Sequence, residues 1–558
     1  MEFGGSRLND FNPSTPQVAP SNPNRSPGCP FVIPPTSTSK TSTVEPLRLN
    51  RRAWSIAMGL LTGVASLLAG ALRAEDPSRL AERLQRTLAA SPKASPRWGA
   101  VVTRLDGTVL FSTNAFEAFI PASNTKLFIG AMALDQLGPA ARLDTPIHVD
   151  RLPDANGVLR SDLWVVGQGD PTLNTSPRPG TWDDALLPLV DRWHSKGLRR
   201  VIGDLVMCDA ALRIPDYGPG WDDEDRAEWY GAPVSAFVVN DNTFRLVAGP
   251  APQDATDIPF HLEPPLPSLS VDWRVTVGTN TSHRIRYVRR APDARIRFDG
   301  RWARGAHGWS AELAVADPAR TFGELLKRTL ERRGITVTGS VRSVHSDQGC
   351  PSLAWDHWSS DPLSRRLALC LKPSQNLHAQ LLLAEVGRLA EREALRTGTT
   401  PHHRRHDAWG LSRLPGFLER AGIPEGAVRL EEGSGLSRAN RVTPAATATL
   451  LRSMALHPHR QAWKGSLPVG GVDGTLRHRF KTAPTQGNVR AKTGSLRGVH
   501  ALGGYVTSVG GDELVFAIYA NEAQSDPQAR VRMDQFVEVL AGAGPSPPPG
   551  ATPLIPPR

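Results

Sequence analysis

Cysteine is scarce in this 558-residue chain: Cys29, Cys208, Cys350 and Cys370 are all it has, and no two show metal-ligand spacing. Nothing therefore supports a zinc site. Three of the four follow the export segment described below, so one disulfide plus a free thiol is open, and spacing does not choose the pair. Lysine is also rare, nine against 56 arginines. Arginine stays protonated, whereas a buried lysine can lose its proton and act as a base, so each lysine here is an informative choice. The net charge of +11 falls to +7 for a chain beginning at Glu75. That modest excess suits an anionic cell-wall polymer or a membrane surface. With no zinc-finger spacing, RNA-binding signature or Lys/Arg-rich helix, a nucleic-acid partner is not expected. No internal repeat occurs.

At this length the chain exceeds one ordinary core, and two or more domains are expected. Residues 1–47 are rich in Pro, Ser, Thr and Asn without apolar periodicity and read as a disordered extension. Residues 48–74 hold Arg48, Arg51 and Arg52, then an uncharged stretch to Leu72 with Ala69-Gly70-Ala71 near its end. This is the pattern of a secretory signal, and its length also allows an uncleaved membrane anchor. The long extension ahead of it is unusual for a signal and suggests that translation starts nearer Val44 or Leu47.

Asp76-Pro77 starts a helix carrying Leu80, Leu84 and Leu88 as an apolar stripe. Asp106-Gly107 is a hairpin turn between strands 98–105 and 108–111. A helix is expected from about Ser123 to Leu137, stopped by Gly138-Pro139. Residues 146–345 break into short Val/Ile/Leu runs split by Gly, Pro and Asp, which reads as inserted β-rich material. A helix at about 376–393 and a hairpin of strands 499–508 and 513–520 follow, turning at Gly510-Gly511-Asp512. The tail 541–558 is Pro/Gly-rich and reads as disordered. Parts 75–145 and 346–540 then flank the insert as two pieces of one domain.

Three short motifs carry chemistry. Ser123 and Lys126 stand three apart on the expected helix and project from one face. A serine hydroxyl needs a neighbouring base, and a lysine deprotonated by burial is one. The same spacing recurs in Ser37-Thr38-Ser39-Lys40, inside the disordered extension, so spacing alone decides little. Ser374 and Asn376 form a Ser-x-Asn pair ahead of a helix, where either would also serve as an N-cap. Ser112-Thr113-Asn114 fits that pattern too. Lys492-Thr493-Gly494, the one such triplet in the chain, precedes the C-terminal hairpin and is expected on a strand. There Lys492 and Thr493 suit a carboxylate, and Gly494 leaves room for close substrate approach.

Ser-x-x-Lys, Ser-x-Asn and Lys-Thr-Gly in this order form the signature of the penicillin-recognising serine enzymes. With 164-WVVGQGDPTL-173, 433-GSGLSRANRVTP-444 and 467-LPVGGVDGTLRHR-479, the chain resembles the D-alanyl-D-alanine carboxypeptidase/endopeptidase family, the class C low-molecular-mass penicillin-binding proteins, over roughly residues 78–540. The resemblance implies an α/β (α+β) fold of the penicillin-binding-protein/β-lactamase-like transpeptidase type, with β-rich domains inserted between the first and second motifs. It also implies that Ser123 is the nucleophile, Lys126 its base, and Ser374 with Lys492 a proton relay. Asn376 would bind the substrate's peptide or side-chain amide, and Thr493 and Ser495 its terminal carboxylate. The backbone N–H groups of Ser123 and Ser495 would form the oxyanion hole, with Gly494 between Thr493 and Ser495. No metal or organic cofactor is implied. The partners would be peptidoglycan stem peptides and β-lactams as inhibitors, with peripheral membrane association open. The place would be the periplasm or cell wall.

Two positions depart from the family pattern: Gln380 stands where Glu is expected, and Glu432 where Asp is usual. Outside the motifs, His402, His403 and His406 beside Arg404 and Arg405 read as a solvated basic loop, with a metal site as the alternative. The run Asp222, Asp223, Glu224 and Asp225, near Trp221 and Tyr230, reads as a surface turn, with binding of a stem peptide's cationic end as the alternative. Two rivals to the hydrolase keep the same nucleophile. A β-lactamase would need a deacylating base, for which no Glu-x-x-x-Asn loop is evident, and a non-hydrolytic wall-binding or antibiotic-sensing protein would acylate without releasing D-Ala.

Overall fold

The computed structural model describes residues 77–545 apart from 90–95, 175–183, 251–256, 279–282, 290–294, 306, 400–402 and 525. The expected extension, the signal or anchor at 48–74, Cys29, His402 and most of the C-terminal tail lie outside these residues. No helix among the described residues is long and apolar enough to cross a membrane.

The catalytic half is built on one antiparallel sheet in the order 490–496, 499–507, 513–521, 97–104, 109–113. Its central strands are apolar on both faces, so successive residues feed different cores. Leu514, Phe516, Ile518 and Ala520 point to one side, where helices Pro77–Ala89 and Ala529–Ala541 cover them with Leu80, Leu84, Leu88, Met533 and Phe536. Val515, Ala517 and Tyr519 point to the other, against helices Thr125–Leu137, Asn376–Arg396 and Pro444–Leu456. The first hairpin turns at Asp106-Gly107, and the second joins strands Val499–Thr507 and Glu513–Asn521.

The inserted part is a mixed α/β body. A five-stranded sheet runs in the order 341–344, 205–208, 163–166, 144–149, 353–359, parallel through its first three strands and antiparallel thereafter. Helices Leu187–Ser195 and Pro318–Arg332 pack on it, burying Trp193 and Phe322. Strand 353–359 pairs with 144–149, so the insert's own sheet reaches beyond the boundary at 345 that the sequence pattern suggested. Helix Asn376–Arg396 belongs to both halves. Leu377, Leu381 and Ala384 join the insert's core, while Ala379, Leu382, Leu383 and Val386 join the catalytic core. That double burial fixes the helix's N-terminus, where Asn376 stands, between the two.

Among the described cysteines all three thiols are free. Cys208 and Cys350 share one small apolar cluster, and Cys370 lies apart from them, buried in the catalytic core.

Candidate active site

Ser123 occupies a short 3-10 turn, Ala122–Asn124, that runs directly into helix Thr125–Leu137. Ala122 adopts a left-handed φ of 46°, a conformation that L-residues avoid unless the surroundings over-determine it. Two glycines make that packing feasible. Gly435 has φ 90°, and a Cβ there would sit 1.9 Å from the Ala122 carbonyl oxygen. A Cβ on Gly494 would stand 2.7 Å from the Pro121 oxygen and 3.1 Å from the Ser123 nitrogen. Gly494 thus lets strand Arg490–Leu496 close against the Ser123 turn itself, rather than only leaving room for a substrate.

Lys126 is fully buried one turn on, and its Nζ stands 2.9 Å from Ser123 Oγ, 2.6 Å from Asn376 Oδ1 and 2.5 Å from the Ser434 carbonyl. Burial pushes its pKa down to about 8, against the opposing pull of Cys370 and Glu432. A neutral amine has two N–H donors and one lone pair. As an ammonium Lys126 donates its third N–H to Ser123 Oγ. Once neutral, with the Asn376 and Ser434 oxygens accepting its two donors, its lone pair is the group left toward Ser123 Oγ.

Ser374 has a left-handed φ of 70°, which turns its hydroxyl toward Lys492. Lys492 Nζ donates to Ser374 Oγ at 2.8 Å and to the Thr493 carbonyl at 2.8 Å. Burial holds the Lys492 ammonium well below the usual lysine range, and the Lys126 cation lowers it further. The helix cap expected of Ser374 or Asn376 is supplied instead by Gln375, whose side chain accepts from the Asn376 N–H at 2.9 Å. Neither motif side chain is taken up by capping: Ser374 Oγ meets Lys492 and Asn376 Oδ1 meets Lys126. Asn376 Nδ2 donates to the Tyr230 carbonyl at 2.7 Å, leaving one of its two hydrogens for a ligand. Thr493 Oγ1 donates to Thr475 Oγ1 at 2.8 Å. Thr475 is anchored in turn, its N–H bonding the Lys372 carbonyl at 3.0 Å. The Lys372–Asp473 ion pair at 2.5 Å ties the same stretch to the Ser374 loop. Ser495 is exposed on the strand.

The structure thus gathers Ser123, Lys126, Asn376, Ser374, Lys492, Thr493 and Gly494 through direct contacts. Four contributors lie outside the three motifs: Ser434, Thr475, Trp221 and Tyr230. The first two lie inside the family-like stretches, which is the signal that pointed to them. Trp221 and Tyr230 bracket the acidic run. Asp222, Asp223 and Glu224 are exposed as a surface turn, but Trp221 Nε1 donates to Glu432 and the Tyr230 backbone carbonyl accepts from Asn376. The two departures from the family pattern meet: Gln380 Nε2 donates to Glu432 Oε2 at 3.3 Å.

The histidine segment differs from the solvated loop expected of it. His406 opens helix His406–Ser412 and is buried, its ring accepting from the Arg213 N–H at 3.0 Å and contacting Glu391 at 3.2 Å. Burial, with the Arg213 cation, pushes its pKa down to about 4. Among the described residues no group of three or more His, Cys, Asp or Glu is arranged to hold a metal ion.

Residues 80–542 match the model of the D-Ala-D-Ala carboxypeptidase 3 (S13) family. The chain is 32% identical over 466 residues to a D-alanyl-D-alanine carboxypeptidase of Actinomadura sp. (strain R39), covering 81% of this chain and 82% of that one. It is 27% identical over 423 residues to D-alanyl-D-alanine carboxypeptidase DacB of Haemophilus influenzae, covering 74% and 82%. The crystal structure of penicillin-binding protein 4 (dacB) from Haemophilus influenzae superposes with a TM-score of 0.65 at 24% identity, covering 83% of this chain and 97% of that one. The same protein complexed with a β-lactam superposes with a TM-score of 0.62.

Proposed function

The chain belongs to the D-Ala-D-Ala carboxypeptidase 3 (S13) family and is a serine-type D-Ala-D-Ala carboxypeptidase, and from that premise we propose that Ser123 is its nucleophile and Lys126 the base. The observation that carries the assignment is the three-cornered setting of Lys126 Nζ. Two fixed acceptors take its N–H groups and Ser123 Oγ takes the remaining direction.

In this account Ser123 Oγ attacks the carbonyl of the penultimate D-Ala of a peptidoglycan stem peptide, and its proton passes to Lys126 Nζ. The N–H groups of Ser123 and Ser495 hold the oxyanion, and losing one such donor lowers rate by about 10²–10³. As the tetrahedral intermediate collapses, the C–N bond breaks and the departing amine takes a proton through Ser374 Oγ. Lys492, 2.8 Å from that oxygen, resupplies it. Thr493 and Ser495 bind the terminal carboxylate, and one Nδ2 hydrogen of Asn376 meets the substrate amide. Before deacylation Lys126 returns the proton it took to the depleted Lys492. Water then attacks the ester on Ser123, Lys126 accepts the water's proton, and that proton passes to Ser123 Oγ as the ester C–O bond breaks. Release of D-Ala is the carboxypeptidase reaction, and cleavage of a cross-link at the same carbonyl is the endopeptidase one. A β-lactam presents its strained amide carbonyl to the same oxygen and is a substrate mimic that acylates Ser123. Because the substrate lies in the cell wall, the protein works in the periplasm or at the wall, with 48–74 as its export segment.

The test is D-Ala release from a synthetic stem peptide ending in D-Ala-D-Ala. Ser123→Ala is expected to lower the rate by at least about 10³-fold with an unchanged melting temperature. Release at the wild-type rate would overturn the assignment.

A further inference from the structure

Glu432 lies in the loop that supplies one of the acceptors of Lys126, and it is 1% exposed. Six donors converge on its carboxylate. Oε2 accepts from the Ser434 N–H at 2.6 Å, Ser434 Oγ at 2.5 Å, Trp221 Nε1 at 3.3 Å and Gln380 Nε2 at 3.3 Å. Oε1 accepts from the Gly435 N–H at 2.6 Å and Asn440 Nδ2 at 2.8 Å. Among the described residues every hydrogen-bond partner of this carboxylate is a donor, which is the setting that suits a carboxylate anion.

Two consequences follow for Lys126. First, the bonds to the Ser434 and Gly435 N–H groups fix the turn whose Ser434 carbonyl takes an Nζ hydrogen and whose Gly435 abuts Ala122. Second, the carboxylate sets a negative charge near the amine. The other titratable groups facing Lys126 are the Cys370 thiol, from helix Leu363–Leu371, and Lys492, from the strand opposite. Burial raises Cys370 to about 11, so its pull on Lys126 belongs to the thiolate, which forms only above the range in which Lys126 titrates. Lys492 is a cation or neutral. Glu432 is therefore the anion of this group.

We propose that Glu432 is a positioning residue for the base: through the Ser434 and Gly435 N–H groups it holds the Ser434 carbonyl on Lys126, it sets a carboxylate beside the amine, and it ties both to the insert through Trp221. The inference rests on Lys126 acting as the base. Gln380 supports it. An amide there donates to Glu432 and accepts from the Gly433 N–H at 3.0 Å, where a second carboxylate would repel the first.

The experiment is the second-order rate of acylation by a fluorescent penicillin from about pH 5.5 to pH 10, for the full chain and for Glu432→Gln and Glu432→Asp. The wild type is expected to rise to a midpoint near pH 8. Glu432→Gln, without the charge, is expected to move that midpoint down by on the order of one pH unit and to lower the plateau at least about tenfold. Glu432→Asp, with the charge but a shorter reach, is expected to keep the midpoint and lose plateau rate. A Glu432→Gln midpoint equal to the wild type's overturns the proposal. If Glu432→Gln does not fold, Glu432→Asp decides: a midpoint displaced from the wild type's, or an unreduced plateau, overturns it. A wild-type profile without any midpoint overturns instead the assignment of Lys126 as base.

Discussion

Replacing Lys126 with arginine should abolish acylation at every pH, while the wild type should switch on steeply between about pH 6 and pH 8. The reason is the proton. With a pKa near 8, set mainly by burial, Lys126 is neutral in about a tenth of molecules at pH 7 and about a hundredth at pH 6. If the neutral amine is the base, the acylation rate by benzylpenicillin rises about tenfold per pH unit up to that midpoint and then levels. A guanidinium stays protonated throughout, so Lys126→Arg has no rising limb. The same shift has a stability counterpart. The unfolded lysine titrates near 10.5 and the folded one near 8, a difference equivalent to about 3 kcal/mol. Between those values the unfolded chain binds more protons, so stability rises with pH from about 8 to 10.5, and below 8 the full penalty applies. Lys126→Met should show a smaller rise than the wild type in urea melts across the same window, because the part due to the likewise depressed Lys492 remains. A flat wild-type acylation profile, or an active Lys126→Arg enzyme, would refute the reasoning.

Two other perturbations probe the frame around the nucleophile. Gly494→Ala would place a Cβ 2.7 Å from the Pro121 oxygen and 3.1 Å from the Ser123 nitrogen, forcing the strand off the Ser123 turn. Penicillin acylation should fall by about 10²–10³, the loss typical of one oxyanion donor, while circular dichroism stays native. Arg366, 2% exposed, holds Glu385 through two bonds of 2.5 and 3.0 Å. Arg366→Ala leaves that carboxylate buried and unpaired and should destabilise the protein by about 3–5 kcal/mol in denaturant unfolding, and a loss below about 1 kcal/mol would contradict the burial argument.

The parts of this molecule legible in its sequence are those written in local pattern. The stripe Leu80, Leu84, Leu88, the Asp106-Gly107 turn, the helix stopped at Gly138 and the C-terminal hairpin all appear where periodicity and turn chemistry put them. The three motifs fall on a turn-helix, a pre-helix loop and a strand, as their spacing implied. What escaped depends on contacts between distant residues. Strand 353–359 completes a sheet begun at 144–149, and no local signal records that pairing. Trp221 and Tyr230 sit beside an exposed acidic turn, yet touch Glu432 and Asn376 across 211 and 146 positions. Gln380 and Glu432 looked like two separate departures from a family pattern, and they bond each other across 52 positions. His406, placed by sequence in a basic loop, is buried because Arg213 and Glu391 from other segments close around it.

The central claim is that acyl transfer runs through one oxygen, Ser123 Oγ. It is tested most directly by incubating the full chain with benzylpenicillin, digesting it and locating the adduct by mass spectrometry. One penicilloyl group per chain is expected, on the peptide containing Ser123, and none on Ser123→Ala. An adduct on any other residue, or a Ser123→Ala protein that still gains the mass, would contradict it.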